Sequence, residues 1–178
     1  MVRKLAVLIA ILVVGSLVAA AQESTSKFDV FGGYSYFNGD TNSSLGRFSL
    51  NGWNAQGTLN FNKWLGLTAD FGGYYGSPFH VSTSDYSFLF GPTVTVRSPH
   101  FSPYVHALFG VDRLNASGFG ASGNDSSFAM AFGGGIDLPL SSRFSIRAGQ
   151  FDWLRTSHFS TGQNNLRVST GVVFRFGE

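Results

Sequence analysis

Cysteine is absent from this chain of 178 residues. Without thiols the chain can form no disulfide, no thiol nucleophile and no lipid-modified N-terminal cysteine. Charge is scarce as well, because Asp, Glu, Lys and Arg make up 12% of the sequence, whereas ordinary soluble domains carry about 25%. The formal net charge is only +2. This near-neutral balance leaves no electrostatic footprint for a nucleic-acid partner.

Long apolar runs are also missing, except for one at the N-terminus. Arg3 and Lys4 precede an apolar run over residues 5–18, and small alanines follow at 19–21. This order is typical of a secretory signal peptide, and the run is shorter than the roughly 20 residues that a membrane-spanning helix needs. We therefore predict a cleaved signal peptide over residues 1–21 and one mature domain over residues 22–178, without a transmembrane helix.

Aromatic residues and glycine are plentiful, with 19 Phe and 23 Gly, and the segment 165–176 shows how they are arranged. One parity of this segment is almost wholly apolar and ends on Phe174 and Phe176, whereas the other parity holds Arg167 and Arg175. Side chains alternate between the two faces of a strand. A strand with one apolar and one polar face is typical of a membrane barrel with lipid outside and a polar lumen inside.

The same alternation recurs along the chain and predicts eight strands. We place them at residues 28–37, 52–61, 65–75, 86–97, 104–114, 127–140, 144–156 and 165–176. Each can cross a bilayer as a tilted strand, which takes about 9–11 residues. The fold class predicted is all-β, an eight-stranded antiparallel up-and-down transmembrane β-barrel.

The connections between these strands alternate in length. Short turns at 62–64, 98–103 and 141–143 alternate with long loops, rich in Ser, Asn and Gly, at 38–51, 76–85, 115–126 and 157–164. Outer-membrane barrels have short periplasmic turns and longer extracellular loops. This pattern predicts long loops outside the cell and both termini in the periplasm.

Alternation alone does not decide which face is outside. A soluble lipocalin-type barrel would turn the apolar face inward, but the narrow lumen of eight strands would be overfilled by so many large side chains. Aromatic residues near the strand ends favour the membrane alternative, because such rings settle at the headgroup level. The predicted girdles contain Trp53, Trp64, Trp153, Tyr34, Tyr36, Tyr74, Tyr75, Tyr86 and Tyr104.

The order of these elements, with the segment Phe-Gly-Gly-Tyr-Ser-Tyr at 31–36 and Val-Val-Phe-Arg-Phe at 172–176, resembles the small outer-membrane β-barrel family related to the OmpA barrel domain. The resemblance covers essentially the whole mature chain. It implies a place in the bacterial outer membrane and insertion by the barrel-assembly machinery. It also implies contact with outer-membrane lipids and lipopolysaccharide, and we expect a monomer. No peptidoglycan-binding domain is expected to follow the barrel.

The polar face predicts a network of charges inside the barrel. The turn at 141–143 would set Asp137 opposite Arg147, and barrel closure would bring Asp29 beside Arg175. The spacing from Arg147 to the next polar residue breaks the alternation, which predicts a β-bulge at residues 148–149. Paired charges are the expected filling of a narrow polar lumen. The predicted structural network contains Asp29, Asp70, Asp137, Arg147, Gln150, Asp152, Arg167 and Arg175.

No residue pattern predicts a catalytic site, a cofactor or a metal centre. Two alternatives remain open. His80 with Ser82, or His158 with Ser160, has the spacing that places an imidazole and a hydroxyl on one strand face, and lipid A deacylases of the outer membrane use such a pair. A small gated pore through the charged lumen is the other alternative. The favoured hypothesis is a structural or surface-interaction protein whose extracellular ligand is unknown.

Overall fold

The computed structural model describes residues 26–40, 46–78, 82–118, 121–158 and 161–177. The predicted signal peptide and its cleavage site lie outside these residues. In the described parts of the chain, no helix has the length and apolar character needed to cross a membrane.

Eight antiparallel strands form a closed barrel in which each strand pairs with its neighbour in sequence and the last pairs with the first. The predicted fold class is confirmed. The strands are β1 (Phe28–Asp40), β2 (Arg47–Asn60), β3 (Leu65–Gly76), β4 (Ser82–Thr95), β5 (Ser102–Gly118), β6 (Ala121–Pro139), β7 (Phe144–His158) and β8 (Thr161–Phe176).

The barrel turns its apolar face outward. Val105, Phe128 and Phe151 expose 62%, 57% and 61% of their surface, whereas Arg167 and Asp70 are fully buried. Large apolar side chains on the outer face fit a barrel surrounded by hydrocarbon, and charged side chains in the interior fit a polar lumen. The soluble lipocalin-type alternative, which needs the opposite orientation, is therefore wrong.

The connections at the end predicted to be extracellular are shorter than expected; this end is called extracellular here and the opposite end periplasmic. The predicted loop at 115–126 is largely strand, since β5 and β6 pair as far as Gly118 with Ala121. The predicted loop at 157–164 is likewise strand up to the pair His158 with Thr161. These segments are rich in Ser, Asn and Gly, so the apolar alternation disappears there while the backbone pairing continues. These strand segments were therefore wrongly predicted to be loops.

Two members of the predicted aromatic girdles were also placed wrongly. Tyr74 and Tyr104 point into the lumen and are buried, whereas Trp53, Trp64 and Tyr34 are exposed on the outer face. Tyr104 donates a hydrogen bond to Gln150 Oε1 at 2.7 Å, so its hydroxyl has a polar partner in the interior. A buried tyrosine with such a partner needs no water.

A β-bulge interrupts β7 where the alternation breaks. Ile136 of β6 pairs with Gly149, but the next residue, Asp137, pairs with Arg147. The register against β8 shifts between Arg147 and Gln150 as well. The extra residue returns Gln150 to the same face as Arg147, so both side chains enter the lumen.

Candidate functional site: the charged lumen

Arg147 is the centre of a cluster in the periplasmic half of the lumen. Its guanidinium donates to Asp137 through Nε at 2.8 Å and Nη2 at 3.1 Å. Nη1 donates to Gln56 Oε1 at 2.6 Å and to Gln150 Oε1 at 2.7 Å. Both carboxylate oxygens of Asp137 are used, which is the strong two-point geometry of an arginine–carboxylate pair.

Aromatic rings lie against the same guanidinium. The centroid of the Phe31 ring lies 4.2 Å from the Arg147 Cζ atom, and that of the Tyr104 ring lies 4.4 Å from it. Contact with ring faces stabilises a buried cation. Four hydrogen bonds and two rings therefore hold Arg147 in one position across the lumen.

Arg167 forms a second cluster deeper in the barrel. It donates to both carboxylate oxygens of Asp70, at 2.7 and 2.9 Å, and through Nε to Asp152 Oδ2 at 2.7 Å. All three side chains are fully buried. A buried guanidinium needs hydrogen-bonded partners to be stable, and here each of its three nitrogens donates to a carboxylate oxygen.

Glutamine side chains join the two clusters. Gln56 Nε2 donates to Asp70 Oδ2 at 2.6 Å while its Oε1 accepts from Arg147. Gln150 Nε2 donates to Asp152 Oδ2 at 2.6 Å while its Oε1 accepts from Arg147 and Tyr104. The two clusters are therefore one continuous network that spans the lumen from β2 to β8.

Three further side chains complete the Arg167 cluster. His106 Nε2 lies 2.7 Å from Asp152 Oδ1, and Asn54 Nδ2 donates to Asp70 Oδ2 at 3.1 Å. Tyr74 accepts a hydrogen bond from Arg167 Nη1 at 3.2 Å. The predicted network missed His106, Asn54, Gln56 and Tyr74, although each has the parity of the predicted lumen residues on its own strand.

The periplasmic rim differs from the predicted pairing. Asp29 lies opposite Arg175 in the β1–β8 register, but its ion pair is with Arg97, whose Nη2 lies 2.9 Å from Asp29 Oδ2. Asn60 Nδ2 also donates to Asp29 Oδ2 at 2.9 Å. Arg97 follows β4 and reaches across the barrel mouth, a contact between strands that are not neighbours and that pairing along the sequence does not indicate.

An apolar layer lies on the extracellular side of the network. It consists of lumen-facing side chains from seven of the eight strands, namely Phe37, Leu50, Tyr74, Leu89, Leu108, Ala129, Ala131 and Leu154. On the periplasmic side, a cavity of about 30 Å³ is lined by Arg147, His106 and Thr93, among others. This volume is room for a water molecule or two. Side chains fill the middle of the barrel.

The described residues do not assemble a hydrolytic site. His80 and Ser160 lie outside the described residues, as does the side chain of His158, so neither predicted histidine–serine pair can be placed. The histidine with a described carboxylate partner is His106, and no hydroxyl in the described residues bonds to its Nδ1. Those residues also contain no group of three or more His, Cys, Asp or Glu arranged to hold a metal ion.

A closed eight-stranded barrel with an apolar outer surface and a filled polar lumen is the architecture of an integral outer-membrane protein. Comparison with family models agrees, since the outer membrane protein beta-barrel domain matches residues 6–176. The chain belongs to this family and is located in the bacterial outer membrane. A search of curated proteins gives no match.

Several solved structures share the fold. Neisserial surface protein A matches with a TM-score of 0.72 at 17% sequence identity, over 86% of this chain and 100% of that chain. Ail, the attachment invasion locus protein of Yersinia pestis, matches with a TM-score of 0.60 at 17% identity, over 85% of this chain and 100% of that chain. The N-terminal barrel domain of Pseudomonas aeruginosa OprF has a TM-score of 0.58 at 12% identity, over 86% and 100% of the two chains. These similarities concern the fold.

Proposed function

We propose that the protein is a structural or surface-interaction component of the outer membrane, with neither a general porin channel nor catalytic activity. The observation that carries this proposal is the filled lumen. Arg147 and Arg167 bridge the interior through paired carboxylates, and the layer around Leu89 and Leu108 closes it above them. Eight strands enclose little more than their own side chains, so the barrel serves as a rigid support.

The extracellular end supports a role in surface interaction. The β5–β6 hairpin continues to Gly118 and Ala121, whereas β6 pairs with β7 only from Ala129 onward. Since β7 ends at His158, two residues beyond Thr156, residues 121–126 of β6 extend beyond the end of β7. Binding functions are commonly placed on such projecting segments of a rigid scaffold. Ail, which has the same fold, is an attachment protein by name, and this likeness supports the same class of role without specifying a ligand.

We expect the purified monomer to show no stable, large conductance in a planar lipid bilayer, because the Arg147 and Arg167 clusters and the apolar layer occupy the lumen. Single-channel recording is the direct measurement. The gated-pore alternative would gain support from stable openings whose size changes in Arg147→Ala or Asp137→Ala. Those two substitutions alter only the lumen. A current of the same size in the wild type and in both variants would therefore not pass through the barrel.

The structural and surface-interaction roles can be separated in a deletion strain. The strain is complemented either with the full chain or with a variant in which residues 117–122 are replaced by Asn-Gly, a two-residue hairpin turn. A structural role predicts that both chains restore resistance to entry of a hydrophobic dye. A surface-interaction role predicts that only the full chain restores adhesion of the cells to surfaces.

The same strains test the hydrolase alternative. We expect the acylation pattern of lipid A, measured by mass spectrometry, to be unchanged by deletion or complementation. A change in acyl number that His80→Ala or His158→Ala abolishes would replace the non-catalytic proposal with a lipid A hydrolase. The corresponding serine variants, Ser82→Ala and Ser160→Ala, would then identify which pair acts.

A further inference from the structure

The cavity of about 30 Å³ at the periplasmic end of the lumen is a polar pocket. Arg175 near the end of β8, Asp29 near the start of β1 and Arg97 after β4 line it toward the barrel mouth. Arg147 lines its inner end. This periplasmic pocket therefore lies between the mouth of the barrel and the Arg147 cluster.

The periplasmic pocket has an excess of positive charge. Among the described residues that line it, Arg97, Arg147 and Arg175 carry a guanidinium group, whereas Asp29 and Asp137 carry a carboxylate. Arg147 is paired with Asp137, and Arg97 with Asp29. The half-buried guanidinium of Arg175 has no ion pair within the described part of the chain. A charge that is taken out of water without a partner is costly, so this third guanidinium favours an anion in the pocket.

Asp29 does not pair with Arg175, although the two lie opposite each other in the β1–β8 register. Oδ1 of Asp29 accepts a hydrogen bond from Ser26 Oγ at 2.5 Å, and Oδ2 accepts from Arg97 and Asn60, each at 2.9 Å. Arg175 is close enough to Arg97 to act on it as a like charge. Two guanidinium groups thus approach each other near the mouth, and an anion between them would remove their repulsion.

Threonine hydroxyls supply neutral donors on the wall formed by β2, β3 and β4. Thr58 Oγ1 lies 2.8 Å from Thr68 Oγ1, which lies 2.6 Å from Thr93 Oγ1. These three hydroxyls share two hydrogen bonds, so the O–H group at one end of the row remains able to donate. Thr95 adds a hydroxyl on the same face of β4, and all four threonines line the pocket. The pocket therefore offers both N–H and O–H donors to a small guest.

The surroundings of the pocket are basic as well. Lys27 precedes β1, Lys63 lies between β2 and β3, and Arg143 precedes β7. All three residues therefore lie at the periplasmic end of the barrel. Their charges add to a potential that attracts anions and repels cations.

We propose that the periplasmic pocket binds one small inorganic anion of the size of chloride. The anion lies between the guanidinium groups of Arg175 and Arg97, and the hydroxyl of Thr95 is a further donor. Size favours a monatomic ion over phosphate or sulfate, because the pocket has room for a water molecule or two. The ion is bound and does not permeate, since the Arg147 cluster closes the inner end. The inference is independent of the proposed surface role, since it concerns the opposite end of the barrel.

Chloride NMR of the purified full barrel in a zwitterionic detergent tests this proposal. We expect the folded protein to broaden the chloride resonance, and bromide to reverse the broadening at constant ionic strength. Arg175→Gln should weaken chloride binding about tenfold or more, because it removes a charged hydrogen-bond donor. The matched control, Arg143→Gln, removes the same charge from an exposed position at the same end and should bind within about twofold of the wild type. Heat-modifiable migration on gels shows that each variant is folded.

Thr95→Val tests the same pocket with every charge kept. The loss of one neutral donor should weaken chloride binding about threefold. Crystals grown with bromide should show its anomalous signal between Arg175 and Arg97.

Several results would overturn the proposal. They are a wild-type protein that does not broaden the resonance, an equal loss in Arg175→Gln and Arg143→Gln, and an unchanged affinity in Thr95→Val. Bromide in the crystal without broadening in solution would be an adventitious ion only. Binding that appears only in Glu178→Gln would show that this carboxylate takes the place of a free anion.

Discussion

Replacing Arg167 by alanine is expected to lower the free energy of unfolding by about 3–5 kcal/mol, because removal of one partner leaves buried charge without compensation. Arg167 bonds to both oxygens of Asp70 and to Asp152, and none of the three side chains reaches solvent. Urea unfolding in lipid vesicles, followed by tryptophan fluorescence, measures the change. The exposed Arg113 provides the control, and Arg113→Ala should change stability by no more than about 0.5 kcal/mol.

A second variant separates the loss of pairing from the loss of packing. In Asp70→Asn/Asp152→Asn/Arg167→Met the buried charges are removed together while side-chain volume is largely kept. Replacing a buried ion network by neutral groups is often close to neutral for stability, so most of the loss should be recovered. An Arg167→Ala variant as stable as the wild type would show that the network does not hold the barrel together. A triple variant as unstable as Arg167→Ala would assign the loss to packing.

The architecture was predictable because each strand of a membrane barrel alternates apolar residues facing lipid with polar residues facing the lumen. Phe174 and Phe176 alternate with Arg175, and this two-residue period defines both the strand and its faces. The register at the periplasmic side followed from the short turn before β7, which aligns Asp137 with Arg147. Closure of the sheet then aligned Asp29 with Arg175. These relations are local to neighbouring strands, and the structure has them in its register.

Contacts across the lumen could not be predicted in the same way. Arg167 lies on β8 and Asp70 on β3, and they meet because the strands are tilted and staggered around the barrel axis. The stagger is the sum of the register offsets of all eight strand pairs. A small error in the predicted register at each turn therefore adds to the errors at the others. The contact of Arg97 with Asp29 across the mouth has the same origin. For residues on strands that are not neighbours, the sequence therefore indicated the face of each side chain but not its partner.

The two errors of the sequence prediction, the missed strand segments and the misplaced tyrosines, had different causes. The strand segments over residues 115–126 and 157–164 were missed because their sequence is rich in Ser, Asn and Gly, so hydrophobic alternation is absent there. Tyr74 and Tyr104 were misplaced although their parity was informative, since Tyr74 shares a face with Asp70, and Tyr104 shares one with His106. Aromatic residues near strand ends indicate a girdle only when their parity is outward. Alternation was the better guide to both tyrosines.

Replacing Phe109 by arginine is expected to destabilise the barrel by about 2–4 kcal/mol, the cost of a cation on the lipid face near the bilayer midplane. Phe109 lies on the outer face of β5, seven residues beyond Ser102, where that strand begins. Its ring packs edge-on against Phe132, with 5.7 Å between the centroids. The arginine would replace an apolar contact with a charge that hydrocarbon cannot solvate.

The same unfolding assay in lipid vesicles measures this loss, and Phe109→Leu is the matched control. Leucine keeps the apolar surface but removes the aromatic pair, so its cost should be limited to about 0.5–1.5 kcal/mol. A barrel in which Phe109→Arg is no less stable than Phe109→Leu would place that surface in water and contradict the membrane orientation. A larger loss for arginine assigns the outer face to lipid, and the buried charges of Arg147 and Arg167 to a lumen that lipid does not enter.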